Sequence, residues 1–164
     1  MEVLSVNKAS TREFAFEKAD FNKVQNMLLK KAGIKLSDAK EAMVYSRLAR
    51  RIRARSLKSF NEYLALVDKS EAELEEFINA LTTNLTSFFR EPHHFTALAD
   101  YLREHPQVST IWCAASSTGE EPYSIAMVVA ETFGSFKTPV KIIASDIDSK
   151  VLAKGKSGIY PLAS

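Results

Sequence analysis

The chain has 164 residues, 46% of them hydrophobic and 26% charged, and a formal net charge of +2. This length allows one ordinary domain or two small ones, and the small net charge gives no sign of a nucleic-acid-binding protein. No apolar run approaches the roughly 20 residues that span a bilayer, and the N-terminus lacks a secretory signal, so we expect a cytoplasmic protein without membrane insertion. With one cysteine and three scattered histidines, we expect neither a disulfide nor a metal site.

The first part of the chain, up to about residue 105, predicts successive helices, because each segment combines a start signal with apolar residues at a period of 3.6. We expect the first helix to begin after Asp20 as its N-cap and to end at Gly33. The second should follow Ser37. The inward faces of these two helices are predicted to be Phe21, Val24 and Leu28, and Val44, Leu48 and Ile52.

Three further helices are predicted before the pattern changes. Two begin at capping boxes, in which a serine and a glutamate three positions later satisfy each other's backbone amides. These boxes are Ser59 with Glu62 and Ser70 with Glu73. The last helix should begin at Pro92, a favourable residue in a first turn, and end before Pro106.

The second part of the chain predicts a β-α-β unit. Residues 111–115 and 140–145 are short apolar runs suited to buried strands, and a helix over 122–133, closed by Gly134, lies between them. Another helical segment covers 149–154. The fold class is therefore an all-α N-terminal domain followed by the start of a Rossmann-like α/β domain.

We place the helical domain at 16–82 and the partial α/β domain at 83–164. A two-stranded parallel sheet leaves apolar faces uncovered and supplies only part of a ligand pocket. We therefore expect the isolated 164-residue chain to be inactive and to cover its sheet by self-association.

The turn between the first strand and its helix, residues 114–122, is a candidate ligand site, because open α/β sheets bind ligands at such strand ends. Its small residues let a ligand approach the backbone closely. Glu120 and Glu121 would repel a polyphosphate but tolerate an ammonium or sulfonium, and Asp146 follows the second strand, where an acid can accept from ribose hydroxyls. Taken singly, such acids are more often helix caps; together they fit S-adenosylmethionine.

Three sequence motifs carry a family resemblance. They are NLTSFFRE from Asn84 to Glu91, AASSTGEEPYSIA from Ala114 to Ala126, and ASDID from Ala144 to Asp148. With a later SGIY and a preceding helical domain, this order resembles the CheR-type chemotaxis receptor methyltransferases.

The resemblance implies methyl transfer from S-adenosylmethionine to glutamate side chains of chemoreceptors, giving methyl esters and S-adenosylhomocysteine. It also implies a set of cofactor-contacting positions. These are Asn84, Thr86, Arg90, Glu121 and Asp146. Among them Arg90 is the candidate catalytic residue, because its planar, permanently charged guanidinium can orient a carboxylate.

A run of arginines on the second helix predicts either a solvated face, the usual case, or a surface for an acidic partner. Arg47, Arg50 and Arg51 should share an outer face, with Arg53 and Arg55 nearby, and no acid interrupts the run. The partner implied by the resemblance is the glutamate-rich methylation helix of a chemoreceptor.

Two other interpretations stay open. The chain could be a non-enzymatic module that binds an acidic helix or a nucleotide. It could also bind nucleic acid through the arginine run, although the low net charge leads us to expect no nucleic-acid partner. Calorimetry with the cofactor and a salt-dependent nucleic-acid assay separate these interpretations.

Overall fold

The computed structural model describes residues 12–162, which fall into two units divided between Leu81 and Thr82. The domains predicted at 16–82 and 83–164 differ from this division by one residue at the junction. In the described part of the chain, no helix is long and apolar enough to cross a bilayer.

The first unit consists of helices packed around one core. Helix α1 spans Lys18–Ala32, and a single 3₁₀ turn at Asp38–Lys40 precedes α2, which spans Glu41–Ala54. Helices α3 and α4 span Phe60–Lys69 and Glu71–Leu81. The predicted inward faces are confirmed, because their members are all fully buried: Phe21, Val24, Leu28, Val44, Leu48 and Ile52.

The predicted start of α1 is wrong by three residues. The N-cap is Glu17, whose backbone N–H donates to the Asp20 carboxylate at 3.1 Å, and the Glu17 side chain accepts from the backbone of Asp20 in return. Asp20 is thus the third residue of the helix and half of a capping box built from two acids. Gly33 ends the helix in a left-handed conformation, as predicted.

Each of the two predicted capping boxes is half correct. The hydroxyl groups of Ser59 and Ser70 accept from the backbone N–H of Glu62 and Glu73, at 3.2 and 3.3 Å. The return bonds differ from the prediction. The Glu62 carboxylate accepts from the backbone N–H of Lys58, one residue before the cap. The Glu73 carboxylate accepts from two arginine side chains instead.

The Glu73 carboxylate lies at the centre of a buried ion cluster. It is only 1% exposed, and it accepts from Arg51 Nε and Nη2, at 3.0 and 2.9 Å, and from Arg55 Nε at 2.6 Å. Arg51 also pairs with Glu76 at 3.0 Å. Burial and the neighbouring Glu73 carboxylate raise the pKa of Tyr63 well above its usual value. The cluster therefore ties α2 to α4 inside the core of this unit.

The second unit contains the predicted β-α-β unit, which is confirmed. Helix α5 spans Pro92–Glu104, and strand β1 at Thr110–Cys113 is followed by α6 at Glu120–Phe133. Strand β2 at Lys141–Ala144 leads to α7 at Ser149–Ser157. The two strands pair in parallel from the first residue of each to the last.

The two faces of this sheet differ in burial. One face contributes Cys113, Ile111 and Ile142 to a core shared with α5 and α6. On the other face Trp112 and Ile143, paired in register, remain 68% and 41% exposed. Within residues 12–162 the sheet thus buries only one face well, and self-association through the other remains a prediction.

We predict that Glu73→Gln lowers the free energy of unfolding by about 2 to 3 kcal/mol, slightly less than for a fully buried pair because both guanidinium groups reach solvent. The amide keeps the size of the side chain but leaves two arginines without their carboxylate. Far-UV circular dichroism measures the change. Trp112, the only tryptophan of the chain, follows the second unit by fluorescence.

Glu71→Gln is the matched control, because Glu71 lies on the same helix but is exposed. It should change stability by less than about 1 kcal/mol. Equal stability of the Glu73→Gln variant and the wild type would contradict a stabilising role for the cluster.

Candidate functional site

The turn after β1 is held against the end of β2 by backbone hydrogen bonds. Ser116 N donates to the carbonyl of Ser145, and Gly119 N donates to the carbonyl of Ser116, both at 2.9 Å. Ser117 and Gly119 adopt positive φ values of 47° and 100°. The small residues of this segment therefore make a tight turn at the carboxyl ends of both strands, where the sequence predicts a ligand site.

Asp146 joins this turn to the end of β2. Its Oδ2 accepts from the backbone N–H of Ser117 at 2.8 Å, and its Oδ1 accepts from that of Asp148 at 2.9 Å. A carboxylate offers about four acceptor positions, so each oxygen retains one. The residue therefore stabilises the turn and can still accept from a ligand hydroxyl group.

Asp148 is a second acid at the site, and it is almost completely buried at 3% exposure. Its Oδ2 accepts from Thr82 Oγ1 at 2.9 Å and from Asn84 Nδ2 at 2.7 Å. Its Oδ1 caps α7 by accepting from the backbone N–H of Lys150 and Val151, at 3.0 and 3.3 Å. Sequence reasoning assigned this residue no role; its position before a helix indicated a cap, but nothing indicated the distant side-chain donors.

Asn84 completes a ring of hydrogen bonds. Its carbonyl accepts from Ser117 Oγ at 3.2 Å, while its side chain donates to Asp148. Together with the two bonds of Asp146, these contacts link Asn84, Ser117, Asp146 and Asp148 into what we call the four-residue ring. The ring brings three separate segments of the chain to one place.

Arg90 and Thr86 lie in the segment that enters α5. The Arg90 guanidinium is exposed, and its Nη1 donates to the carbonyl of Leu85 at 3.3 Å. Thr86 is half-buried. The backbone N–H of Phe89 donates to Ser124 Oγ at 3.0 Å, so this segment is attached to α6 immediately before the arginine.

Glu121 is exposed at the start of α6 and lies beside the thiol of Cys113, at the end of β1. Burial, the Glu121 carboxylate and, more weakly, Asp146 raise the pKa of Cys113 to about 11. The thiol is thus protonated at neutral pH. Two of the three predicted acids, Glu121 and Asp146, thus act on this one atom, while Glu120 accepts from Thr118 Oγ1 at 2.6 Å.

Two tyrosines fix the surroundings of the turn, Tyr160 by bonding to the turn itself and Tyr123 by joining α6 to α7. The hydroxyl of Tyr160 donates to the carbonyl of Thr118 at 2.7 Å, and that of Tyr123 donates to the carbonyl of Gly155 at 3.2 Å. A Cβ on Gly119 would collide with the Tyr160 hydroxyl and lie 3.0 Å from Gly155 Cα. The SGIY segment therefore packs directly onto the candidate ligand turn, which the sequence alone did not indicate.

A cavity of about 460 Å³ opens beside the turn, a volume typical of small-molecule sites. Its lining includes Ser117, Gly119, Tyr123, Ile142, Leu152 and Lys156. The rest of the lining comes from α6, β2 and α7. Of the four-residue ring the cavity touches Ser117 alone, and none of the predicted cofactor contacts lines it.

The side chains gathered here define which ligands the site can hold. Asp146 and Glu121 can accept from hydroxyl or ammonium groups, and Arg90 can donate to a carboxylate. In the described part of the chain, no group of three or more His, Cys, Asp or Glu residues could hold a metal ion. The donor set fits a small ligand with hydroxyl, ammonium and carboxylate groups.

Three of the five arginines of the predicted partner surface pair with acids from other segments of the chain. Arg51 and Arg55 bind Glu73, as described above, and Arg53 pairs with Glu13 at 3.0 Å. The acids come from other segments, so the composition of α2 could not reveal them.

The other two arginines of the run differ in exposure. Arg47 is half-buried, and its Nη1 donates to the carbonyl of Ala80 at 3.2 Å. Arg50 is exposed, and its side chain has no partner among residues 12–162. The predicted outer face of Arg47, Arg50 and Arg51 thus exposes mainly Arg50.

Comparison with known families gives two matches that together cover most of the chain. Residues 19–82 match the family described as "CheR methyltransferase, all-alpha domain". Residues 84–164 match "CheR methyltransferase, SAM binding domain". The fold class expected from the sequence is confirmed by these matches.

Curated relatives of the chain carry the name chemotaxis protein methyltransferase. The chain is 51% identical to "Chemotaxis protein methyltransferase 2" of Pseudomonas aeruginosa over 154 residues, 92% of this chain and 55% of that protein. It is 49% identical to the "Chemotaxis protein methyltransferase" of Escherichia coli over 152 residues, 92% of this chain and 53% of that protein. The chain spans about half the length of the curated relatives it matches.

We predict that Gly119→Ala destabilises the second unit by about 2 to 4 kcal/mol, because strain at positive φ adds to the collision with Tyr160. Trp112 reports the change, since its Nε1 donates to Ser145 Oγ at the end of β2, at 3.0 Å. Denaturant unfolding followed by tryptophan fluorescence is the measurement.

Gly134→Ala is the control at the other end of α6. Gly134 also has a positive φ, of 62°, but a Cβ there would meet no atom within 4 Å. It should cost only the backbone strain, about 1 kcal/mol. An equal loss of unfolding free energy in Gly119→Ala and Gly134→Ala would show that the packing of Tyr160 on the turn does not stabilise the unit.

Proposed function

The chain belongs to the CheR methyltransferase family, as its motifs predicted, and we propose that the protein containing it methylates glutamate side chains of chemotaxis receptors. S-adenosylmethionine is the proposed methyl donor and S-adenosylhomocysteine the product. The observation that carries the proposal is the four-residue ring, in which the three family-like motifs meet at the ends of two parallel strands. A cytoplasmic location follows from the same proposal, since receptor methylation helices are cytoplasmic.

The cofactor proposal rests on the chemistry of the donor set. Asp146 suits the ribose hydroxyl groups, Glu121 lies in position to attract a cationic group, and Arg90 suits the carboxylate of the methionine portion or of the substrate. Asn84 and Thr86 are the remaining candidate contacts. When bound, S-adenosylmethionine supplies a methyl group on a positively charged sulfonium.

Alignment is the main contribution that these residues can make to catalysis. The substrate glutamate is already ionised at neutral pH, so its carboxylate needs no general base. It must be held in line with the bond that breaks, in a pocket poor in water. Arg90, with an exposed guanidinium, can hold a carboxylate through two parallel hydrogen bonds.

Helix α2 is the proposed contact surface for an acidic receptor helix. Arg50 is free to pair with a partner's carboxylate, and Arg53 could exchange Glu13 for one, since both side chains of that pair are about half exposed. Arg51 and Arg55 contribute less, because Glu73 already holds them. The same ion pairs leave few arginines for nucleic-acid phosphates, which disfavours that alternative.

We predict that Arg90→Lys, in the full-length protein, weakens S-adenosylhomocysteine binding or slows methyl transfer by about tenfold or more, because lysine keeps the charge but loses the bidentate fork. Calorimetry measures the affinity, and transfer of labelled methyl groups to receptor measures the rate. A fall in affinity assigns Arg90 to the cofactor, and a fall in rate alone assigns it to the substrate.

The control is Arg103→Lys, because Arg103 is an exposed arginine of the same unit that pairs with Asp100. This variant should behave like the wild type. If Arg90→Lys also binds and turns over normally, Arg90 has no role in the reaction.

We predict that Arg50→Glu slows receptor methylation severalfold at low salt and weakens its salt dependence, because the attraction to an acidic helix is lost. The affinity for S-adenosylhomocysteine should stay the same. Lys35→Glu, an equal charge reversal at another exposed position, is the control. Normal methylation by Arg50→Glu at low salt would mean that this surface does not bind receptor.

A further inference from the structure

Asp148 is a buried carboxylate to which neither the cofactor assignment nor the receptor assignment gives a role. Burying a carboxylate is costly unless several donors compensate it. Here the two oxygens have different partners. Oδ1 accepts only from backbone N–H groups of α7, whereas Oδ2 accepts from the side chains of Thr82 and Asn84.

The capping bonds alone do not explain why an aspartate occupies this position. A serine or asparagine caps a helix about as well, and each presents a single oxygen. The second oxygen of Asp148 reaches donors that lie 66 and 64 positions earlier in the chain. These donors precede α5, in the segment that also carries Thr86 and Arg90. Capping and tethering are therefore separate tasks of one side chain.

The tethered segment is fixed to the rest of its unit at two places. Near its start, Asn84 is bound by Asp148 through its side chain and by Ser117 through its carbonyl. Near its end, the backbone N–H of Phe89 donates to Ser124 Oγ, and Ser124 is completely buried. Between and beside these points the chain is irregular. The position of Arg90 thus depends on both attachments.

We propose that Asp148 is a positioning residue: its Oδ2 fixes the segment of residues 82–90, so that Asn84 is held beside Ser117 of the turn and the backbone that carries Arg90 is ordered before the cofactor arrives. The expected effect on cofactor affinity rests on the proposed function. The tether, meaning the hydrogen bonds from Thr82 and Asn84 to Asp148 Oδ2, forms without ligand. A segment that is already ordered loses less conformational entropy when the ligand binds.

Asp148→Asn separates the two tasks. Asparagine has the same size and can keep capping α7 with its oxygen, but it then presents an N–H donor to the N–H donor of Asn84. The double variant Asp148→Asn with Asn84→Asp reverses donor and acceptor and restores the hydrogen bond. It also keeps an oxygen at position 84. Asp148→Ala removes the cap and the tether together.

Hydrogen exchange of the full-length protein without ligand is the first measurement. In Asp148→Asn, amides of residues 82–90 should exchange at least about tenfold faster, with those of 149–157 unchanged. The reciprocal double variant should restore slow exchange, and Asp148→Ala should accelerate both regions. Unchanged exchange over 82–90 in Asp148→Asn would overturn the tether.

Calorimetry with S-adenosylhomocysteine is the second measurement. Asp148→Asn should bind about tenfold more weakly. The reciprocal double variant serves the exchange measurement alone, because Asn84 is itself a candidate cofactor contact. Faster exchange with wild-type affinity would overturn the positioning role while leaving the tether in place. If the wild type itself fails to bind S-adenosylhomocysteine, the proposed function fails, and hydrogen exchange alone then decides whether Asp148 orders the segment.

Discussion

The candidate site depends on one constraint, namely that a buried carboxylate must be supplied with hydrogen-bond donors. Asp148 meets this constraint with side-chain donors on one oxygen and backbone donors on the other, and the half-buried Asp146 accepts from two backbone N–H groups. Because the donors belong to different segments, satisfying the acids fixes those segments relative to one another. The polar groups that a ligand would meet are thus positioned in part by Asp148, an acid that need not touch the ligand.

Glu73 follows the same constraint in the helical unit. Its buried carboxylate forms ion pairs with Arg51 and Arg55. These two arginines are therefore less available to an acidic partner than the sequence of the run indicates. Burial of a single acid therefore decides which cations remain for a partner. Arg50, which points to no acid among the described residues, is the one that the proposed receptor contact depends on most.

Local sequence patterns predicted the helices, the β-α-β unit and the ligand turn, because a 3.6-residue period or a short apolar run is a property of neighbouring residues. They failed where a side chain had a choice of distant partners. The spacing of Ser70 and Glu73 matches a capping box, yet the Glu73 carboxylate binds arginines 22 and 18 positions earlier in the chain. The donors to Asp148 are more distant still, and only the fold brings them together.

The central claim is that the acids at the strand ends select a ligand with ribose hydroxyl and ammonium groups rather than a polyphosphate. Calorimetric titration of the full-length protein with S-adenosylhomocysteine and, separately, with adenosine triphosphate tests it most directly. The account predicts saturable binding of S-adenosylhomocysteine and no measurable binding of the triphosphate, which the carboxylates of Glu120, Glu121 and Asp146 would repel. Binding of the triphosphate alone would contradict the account and favour a nucleotide-binding module.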